Sequence, residues 1–259
     1  MKLYHYTSLD ACTKIVNENG LCFHGTRYDS LNDPTDFTYA EEKILPVFRE
    51  CLKEQGRENG EDDDAIFPYI VSFSKKEDDF NMWRMYHSEV AIELDAEWIR
   101  KSVADKPDVL FKECQYPESE DELHEAFCKL FNEAEQCVND LSLTAREQVM
   151  FIKRKEFKNE NEFRLCTYDN YLPYTIDGEL KDGEIPQDID FRLRGKDLVL
   201  YKKFHIEKGA LLGLIVNEPD EKRFRKIERH LRLWLWKLGY SEKLDIRQSE
   251  SGTKINLNL

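Results

Sequence analysis

The sequence predicts an α+β fold with a mixed or antiparallel split sheet and flanking helices. Two observations predict it: compact β-α-β patterns stand at both ends of the chain, and short strand patterns rich in Val, Ile and aromatic residues are interspersed with helical patterns between them. Hydrophobic residues make up 41% of the 259 residues and aromatic residues 12%, which is typical of a globular protein. No repeat or linker divides the sequence, so residues 1–259 are predicted to form a single domain.

The first β-α-β pattern lies at the start of the chain. Residues 2–7 predict a strand, and Ser8 is placed to cap the N-terminus of a helix at residues 9–19. Gly20 is expected to end this helix, because glycine readily adopts the conformation that follows a helix. A second strand is expected at residues 21–24.

The middle and the end of the chain continue with strands and helices. Further strands are predicted at residues 66–74, 90–94, 109–116, 163–168, 191–193, 198–204, 211–216 and 243–247. Helices are predicted at residues 37–55 with a kink at Pro46, 80–87, 95–103, 119–153 with a break at 142–144, and 220–238 ended by Gly239. Turns and loops are predicted at residues 29–34, 56–64 and 172–186.

Charge and cysteine content restrict the class of protein. The net charge of -14 argues against non-specific nucleic-acid binding and against binding to an anionic membrane surface, although local arginines can still bind a small anion. No membrane-spanning run or signal peptide is evident, so a cytoplasmic location is expected. The seven cysteines show no CxxC spacing and are expected to be small core residues, not disulfides or metal ligands.

His5 is the first candidate functional residue. Strand alternation places it on one face of the first strand, with Tyr4 and Tyr6 on the other. It is either a hydrogen-bonded structural histidine or a group that binds hydroxyls at the rim of a cleft, since an imidazole can donate or accept without carrying charge.

The acidic motif Glu160-Asn161-Glu162 is the second candidate site. Glu162 shares a strand face with Arg164, and Glu160 lies on the same face if the strand begins that early. The motif is either an ion pair of structural value only or a group of carboxylates that faces a ligand.

Aromatic residues three positions apart form a third candidate. Trp83 and Tyr86 lie on one face of the predicted helix at residues 80–87. We expect Trp83 to pack in the core, whereas Tyr86 could offer its hydroxyl to a ligand.

Together these segments resemble the bacterial family known as domain of unknown function 2971. The matching segments are residues 4–8, 31–37, 72–74, 82–86, 157–165 and the closing β-α-β pattern at 211–249, in this order along nearly the whole chain. Two positions depart from the family. His87-Ser88-Glu89 stands where glycines are frequent, and Phe163 stands where Trp is usual.

The opening is also similar to that of ADP-ribosyltransferase-like proteins, which implies an ADP-ribosyltransferase-like fold with NAD as its substrate and no metal. The resemblance implies that His5 holds ribose, that Glu162 stabilises an oxocarbenium-like transition state, and that Glu160 assists it. The candidate NAD-binding residues under this hypothesis are His5, Thr7, Arg27, Tyr28, Ser74, Tyr86 and Arg164. Among them, Arg27 and Arg164 would be partners of the pyrophosphate or of a carboxylate, and Tyr28 and Tyr86 would stack on rings.

The sequence leaves the acceptor open, whether protein, nucleic acid or water. An alternative is a non-catalytic effector module of a bacterial defence or stress system that binds a nucleotide or a protein. In that case Trp83, Tyr86, Trp234 and Trp236 would matter more than Glu162. A shared cleft between His5 and Glu162 would favour the transferase. A nuclease would need a metal-binding acidic cluster, for which the run at residues 61–64 is a poor candidate.

Overall fold

The computed structural model describes residues 1–31, 38–39, 42–46, 66–135, 141–169 and 188–251. Across these residues the protein is an α+β fold in which eleven strands form one large mixed sheet. The strands are β1 (Lys2–Thr7), β2 (Val16–Asn17), β3 (Gly20–Arg27), β4 (Phe67–Ser74), β5 (Val90–Asp95), β6 (Leu110–Glu113), β7 (Glu162–Asp169), β8 (Ile189–Arg194), β9 (Asp197–Ile206), β10 (Leu211–Val216) and β11 (Asp245–Gln248). Apart from the helical residues 38–39 and 42–46, the helices are α1 (Leu9–Ile15), α2 (Phe80–Met85), α3 (Ala96–Val103), α4 (Glu120–Glu135), α5 (Leu141–Val149) and α6 (Glu221–Lys237).

The longest path through the sheet runs in the order β11-β10-β5-β1-β4-β3-β9-β8. Neighbouring strands on this path are antiparallel except β10 and β11, which are parallel and are connected by α6. The predicted β-α-β unit at the end of the chain is therefore confirmed, with Asp220 as the N-cap of α6 through a hydrogen bond from Arg223 N to its side chain.

Strand β4 is the branch point of the sheet. One of its edges pairs with β7 along the full strand, from Phe67 opposite Asp169 to Ser74 opposite Glu162. Because a strand has only two edges, β1 and β3 must share the other one: β1 pairs at Ser74 and β3 pairs at Tyr69 and Ile70. Residues 71–73 of β4 therefore lie where β1 and β3 separate, and this gap positions the site described below.

The first helix is shorter than the sequence pattern predicts. Ser8 caps it as expected, accepting a hydrogen bond of 3.1 Å from Ala11 N, but α1 ends at Ile15 and does not reach residue 19. Val16 pairs with Leu21 in a short antiparallel ladder between β2 and β3. The β-branched Val16 is compatible with either state locally, and the ladder with β3 decides for the strand.

Most of the other predicted elements are confirmed within a few residues. The predicted helix at residues 119–153 forms two helices, α4 and α5, and residues 136–140 between them lie outside the described part. The break was predicted at residues 142–144, which is wrong, because these residues lie inside α5. Of the predicted helix at 37–55, residues 38–39 and 42–46 are described and are helical. The predicted loops at 56–64 and 172–186, and the segment 32–37 of the family resemblance, lie outside the described residues.

The core has three parts. The largest packs the central strands against α1, α3 and α6, and a second packs α4 and α5 against β4 and β7. The third surrounds Trp83, which is fully buried as predicted and meets the ring of Tyr6 edge-on, with 4.7 Å between the ring centroids. Of the five cysteines in the described residues, four are buried and all are free thiols. None of the helices in this described part is both long and apolar enough to cross a bilayer.

Gly20 is required by the turn between β2 and β3. Its φ is +132°, and a Cβ added there would lie 2.4 Å from the carbonyl oxygen of Ile206. We expect Gly20→Ala to lower the free energy of unfolding by about 1–3 kcal/mol, measured by urea denaturation. Gly195→Ala is the control, since φ there is also positive, at +63°, but no atom lies within 4 Å of the added Cβ. Equal losses for both variants would contradict the steric part of this account.

Candidate functional site

His5 fills the gap between β1 and β3. Its Nδ1 atom lies 2.9 Å from the carbonyl oxygen of Ser72, and its ring meets Phe23 and Phe73 edge-on. Because a carbonyl oxygen can only accept a hydrogen bond, Nδ1 carries the proton. Burial lowers the pKa of His5, so the ring is neutral near pH 7 and its Nε2 atom is an acceptor.

Two adjoining cavities open at this point. The smaller cavity has a volume of about 100 Å³, and its lining residues are Tyr4, His5, Tyr6, Ser72, Phe73, Ser74, Met82, Tyr86, Glu160 and Glu162. The larger cleft has a volume of about 670 Å³ and shares His5, Tyr6, Ser72 and Tyr86 with the smaller cavity. The larger volume lies within the range of small-molecule sites, roughly 300–1,000 Å³.

A buried charge network forms the acidic side of the smaller cavity. Lys153 Nζ lies 2.5 Å from Glu160 Oε2 and 2.5 Å from Glu162 Oε2. Arg164 Nε donates to Glu162 Oε1 at 2.9 Å, and all four side chains are buried. Asn161, in the left-handed conformation with φ of 46°, turns the chain between the two glutamates, so both carboxylates meet the same lysine.

The network keeps Glu162 ionised. Burial by itself would raise the pKa of Glu162, but the positive charges of Arg164 and Lys153 outweigh burial and hold the pKa well below its usual range. The site therefore presents a negatively charged carboxylate to the smaller cavity at neutral pH.

Two hydroxyl groups fix the position of Glu160. The Tyr86 hydroxyl donates to Glu160 Oε1 at 3.2 Å, and Ser74 Oγ donates to the Glu160 carbonyl oxygen at 2.6 Å. Tyr86 is the C-cap residue of α2, the helix whose Trp83 is anchored in the core. Tyr86 is thereby held in a position where it lines both cavities.

Residues of β8 form one wall of the larger cleft. Arg192 NH2 donates to Thr26 Oγ1 at 2.6 Å, and its guanidinium lies 5.7 Å from the centroid of the Tyr201 ring. His24 stacks on Tyr201, with 4.0 Å between the ring centroids. Arg194 lies two residues further along β8, on the same strand face as Arg192.

The structure brings together most of the residues that were predicted from the sequence. Those that line the smaller cavity are His5, Ser74, Tyr86, Glu160 and Glu162, and Thr7 lines the larger cleft. His5 in β1 and Glu162 in β7 are far apart in the sequence but line the same cavity, because both β1 and β7 pair with β4.

Arg27, Tyr28 and Arg164 do not line either cavity. Arg27 is buried and donates through Nε to Asp29 Oδ1 at 2.9 Å. Tyr28 packs against the second core cluster, and Arg164 is fully buried, where it also donates to the Met150 carbonyl oxygen at 2.7 Å. Arg164 therefore contacts the carboxylate of Glu162 within the same chain, and its predicted role towards a ligand stays a prediction.

Sequence reasoning missed Lys153, Arg192 and Arg194. Lys153 stands at the end of a predicted helix, and the signal that could have identified it is its position a few residues before two glutamates that need compensating charge. The two arginines alternate along β8, which indicates a common strand face. Their approach to β1 depends on the order of strands in the sheet, which the local pattern does not contain.

The cleft histidine His24 predicts a pH dependence of stability. Burial and the nearby charges of Arg192 and Lys203 lower its pKa to about 4. Between about pH 6.5, the pKa of an unperturbed histidine, and pH 4 the unfolded chain binds a proton that the folded protein does not, so folding free energy is lost as the pH falls. We expect the slope of unfolding free energy against pH, measured from pH 7 to pH 4.5, to be smaller in His24→Gln than in the wild type.

His230→Gln, which removes an exposed histidine of α6, is the control for this comparison and should retain the wild-type slope. Identical slopes for His24→Gln and the wild type would show that His24 titrates alike in the folded and unfolded states.

Comparisons of the chain with protein-family models, with curated proteins and with solved structures gave no match. The resemblances to the domain of unknown function 2971 family and to ADP-ribosyltransferase-like proteins therefore stay predictions from the sequence.

Proposed function

We propose that the protein is an ADP-ribosyltransferase-like enzyme that binds NAD and cleaves the bond between nicotinamide and ribose. One observation carries this proposal: His5, Tyr86 and the carboxylates of Glu160 and Glu162 line the same small cavity, which opens into a cleft of suitable size for a nucleotide. The residues come from distant parts of the chain, so their convergence is a property of the sheet.

The reaction fits the charges of the site. When the bond between ribose C1′ and the nicotinamide nitrogen breaks, its electron pair stays on nicotinamide, which leaves as a neutral molecule. The ribose then develops positive charge, and the ionised carboxylate of Glu162 stabilises it electrostatically. An acceptor oxygen forms the new bond to C1′, and its proton is released to solvent water. Glu160 lies beside Glu162 through the shared Lys153 and is the group that would orient this acceptor.

His5 and Tyr86 supply orientation in this proposal. The neutral His5 ring has its Nδ1 proton committed to Ser72, which leaves Nε2 to accept a hydrogen bond from a ribose hydroxyl. The Tyr86 ring stands at the junction of the two cavities, where an aromatic face can stack on nicotinamide. Such positioning lowers the entropic part of the barrier.

A second candidate function is a non-catalytic nucleotide-binding module, and the charge network favours it. Both oxygens of Glu162 contact a cation, Arg164 on one side and Lys153 on the other. Because these two cations offset the charge of Glu162, its carboxylate stabilises the positive charge that develops on ribose less strongly. In this case the two cavities would bind the nucleotide without cleaving it.

The release of nicotinamide from NAD by the purified protein tests the proposal, with water, protein and nucleic acid offered as acceptors in separate reactions. The proposed enzyme releases nicotinamide above the rate of the buffer alone, and the non-catalytic module binds NAD by calorimetry without releasing it. Absence of both binding and release would exclude both functions.

A further inference from the structure

The larger cleft is lined by two arginines of β8 for which no residue of the described part of the chain supplies a neutralising carboxylate. Arg192 is half-buried and Arg194 is exposed, and in the described part of the chain neither guanidinium forms an ion pair. A partly buried cation without an anionic partner is costly unless a ligand provides one.

The acidic side chains near these arginines either form ion pairs with lysines or form no ion pair with the arginines among the described residues. Asp190, on the same face of β8, pairs with Lys203 at 2.6 Å. Asp10 at the opposite rim pairs with Lys14 at 2.6 Å. Asp197 lies opposite Arg194 in the register of β8 and β9 but forms no ion pair with it within the described residues. As far as the described residues go, the wall formed by Arg192 and Arg194 therefore keeps its positive charge.

Two further observations agree with a positive field in this cleft. The charge of Arg192 is among the causes that lower the pKa of His24 and of His5, after burial in each case. Burial and the neighbouring Arg194 also lower the pKa of Arg192. Both histidines are consequently neutral near pH 7. The described cations that line the cleft are Lys14, Arg192 and Arg194, and of these Lys14 is already paired with Asp10.

Arg192 is also held in position before any ligand arrives. Its NH2 group is fixed by Thr26, and its guanidinium plane lies near the Tyr201 ring, which leaves the remaining donors of the fork for another partner. A guanidinium fork matches the spacing of phosphate oxygens and can bind them with two parallel hydrogen bonds.

We propose that Arg192 and Arg194 form a binding site for the diphosphate of a nucleotide. The choice of a nucleotide rests on the proposed function, because the ring and ribose of the same ligand would extend past His5 into the smaller cavity. The diphosphate site itself depends only on the larger cleft. In this proposal Arg192 and Arg194 take the diphosphate-binding role that the sequence predicted for Arg27 and Arg164, which do not line either cavity.

Calorimetric titration with ADP, inorganic pyrophosphate and adenosine tests this site. We expect the wild type to bind ADP and pyrophosphate, and both Arg192→Gln and Arg194→Gln to weaken ADP binding by roughly tenfold or more, the usual loss for a hydrogen bond to a charged group. Arg229→Gln, which removes an exposed arginine of α6, is the matched control and should bind ADP as the wild type does. Adenosine, which has no phosphate, should be insensitive to all three changes.

The outcomes separate this inference from the proposed function. If wild type does not bind ADP, or if both arginine variants bind it as tightly as the wild type, the diphosphate site is wrong. Because Arg194 is exposed, its variant is informative even if Arg192→Gln fails to fold. If ADP binds through the two arginines but NAD is not cleaved, only the enzymatic proposal fails. If NAD is cleaved and both arginine variants keep the wild-type KM, only the diphosphate site fails.

Discussion

Lys153→Met is expected to lower the free energy of unfolding by about 3–5 kcal/mol, the usual cost of removing one partner from a buried ion pair. Lys153 Nζ is the cation that Glu160 and Glu162 share, at 2.5 Å from each. Methionine fills a similar volume but removes the positive charge that both buried carboxylates contact. Chemical denaturation followed by circular dichroism measures the change.

Two comparisons make this prediction specific. The double variant Lys153→Met with Glu160→Gln restores neutrality among these four groups, so it should recover part of the lost stability. Lys158→Met removes an exposed ion pair with Glu118 and should have little measurable effect. A Lys153→Met protein that unfolds at the wild-type denaturant concentration would show that the network does not hold the site together.

Glu162→Gln is expected to reduce the rate of nicotinamide release by about 100- to 1,000-fold, the range found when one electrostatic stabiliser of a transition state is removed. The amide keeps the shape of the side chain but has no negative charge to offset the developing charge on ribose. Because binding of the diphosphate is assigned to other residues, the KM for NAD should change much less than kcat.

Glu93→Gln is the matched control for this experiment. Glu93 is also a buried carboxylate between two cations, Lys2 at 2.5 Å and Arg247 at 2.7 Å, but it does not line either cavity. Both glutamine variants should lose stability, and only Glu162→Gln should lose kcat. Equal kcat values for the two variants at a temperature where both are folded would assign Glu162 a structural role only.

The sequence pattern was sufficient for elements whose local signals agree with their environment. The helix α6 has a capping aspartate, an amphipathic pattern and a terminal glycine, and its bounds were predicted within two residues. The predicted end of α1 was wrong because Val16 pairs with Leu21 in a β-ladder, and a helical pattern in the sequence cannot reveal this pairing. The branching of the sheet at β4 could not be predicted either, since it depends on pairings between residues far apart in the sequence.

The candidate site likewise contains features that the sequence predicted and features that it did not. His5, Glu160 and Glu162 were identified because each stands in a short motif with recognisable chemistry. The contact of His5 with Ser72 and the contacts of the two glutamates with Lys153 were not predictable. His5 and Ser72, for example, are 67 residues apart in the sequence and meet only where β1 leaves β4. Arg27 and Arg164 were predicted to bind a pyrophosphate or a carboxylate, but both are buried, and burial decides which arginines a ligand can reach.

The most direct test of the central claim is a crystal structure of the protein with a carbocyclic NAD analogue, whose bond to nicotinamide is not cleaved. The account predicts nicotinamide in the smaller cavity beside Tyr86, the ribose analogue between His5 and Glu162, and the diphosphate against Arg192 and Arg194. An analogue bound elsewhere on the protein, or crystals that take up none of it at saturating concentration, would contradict the account.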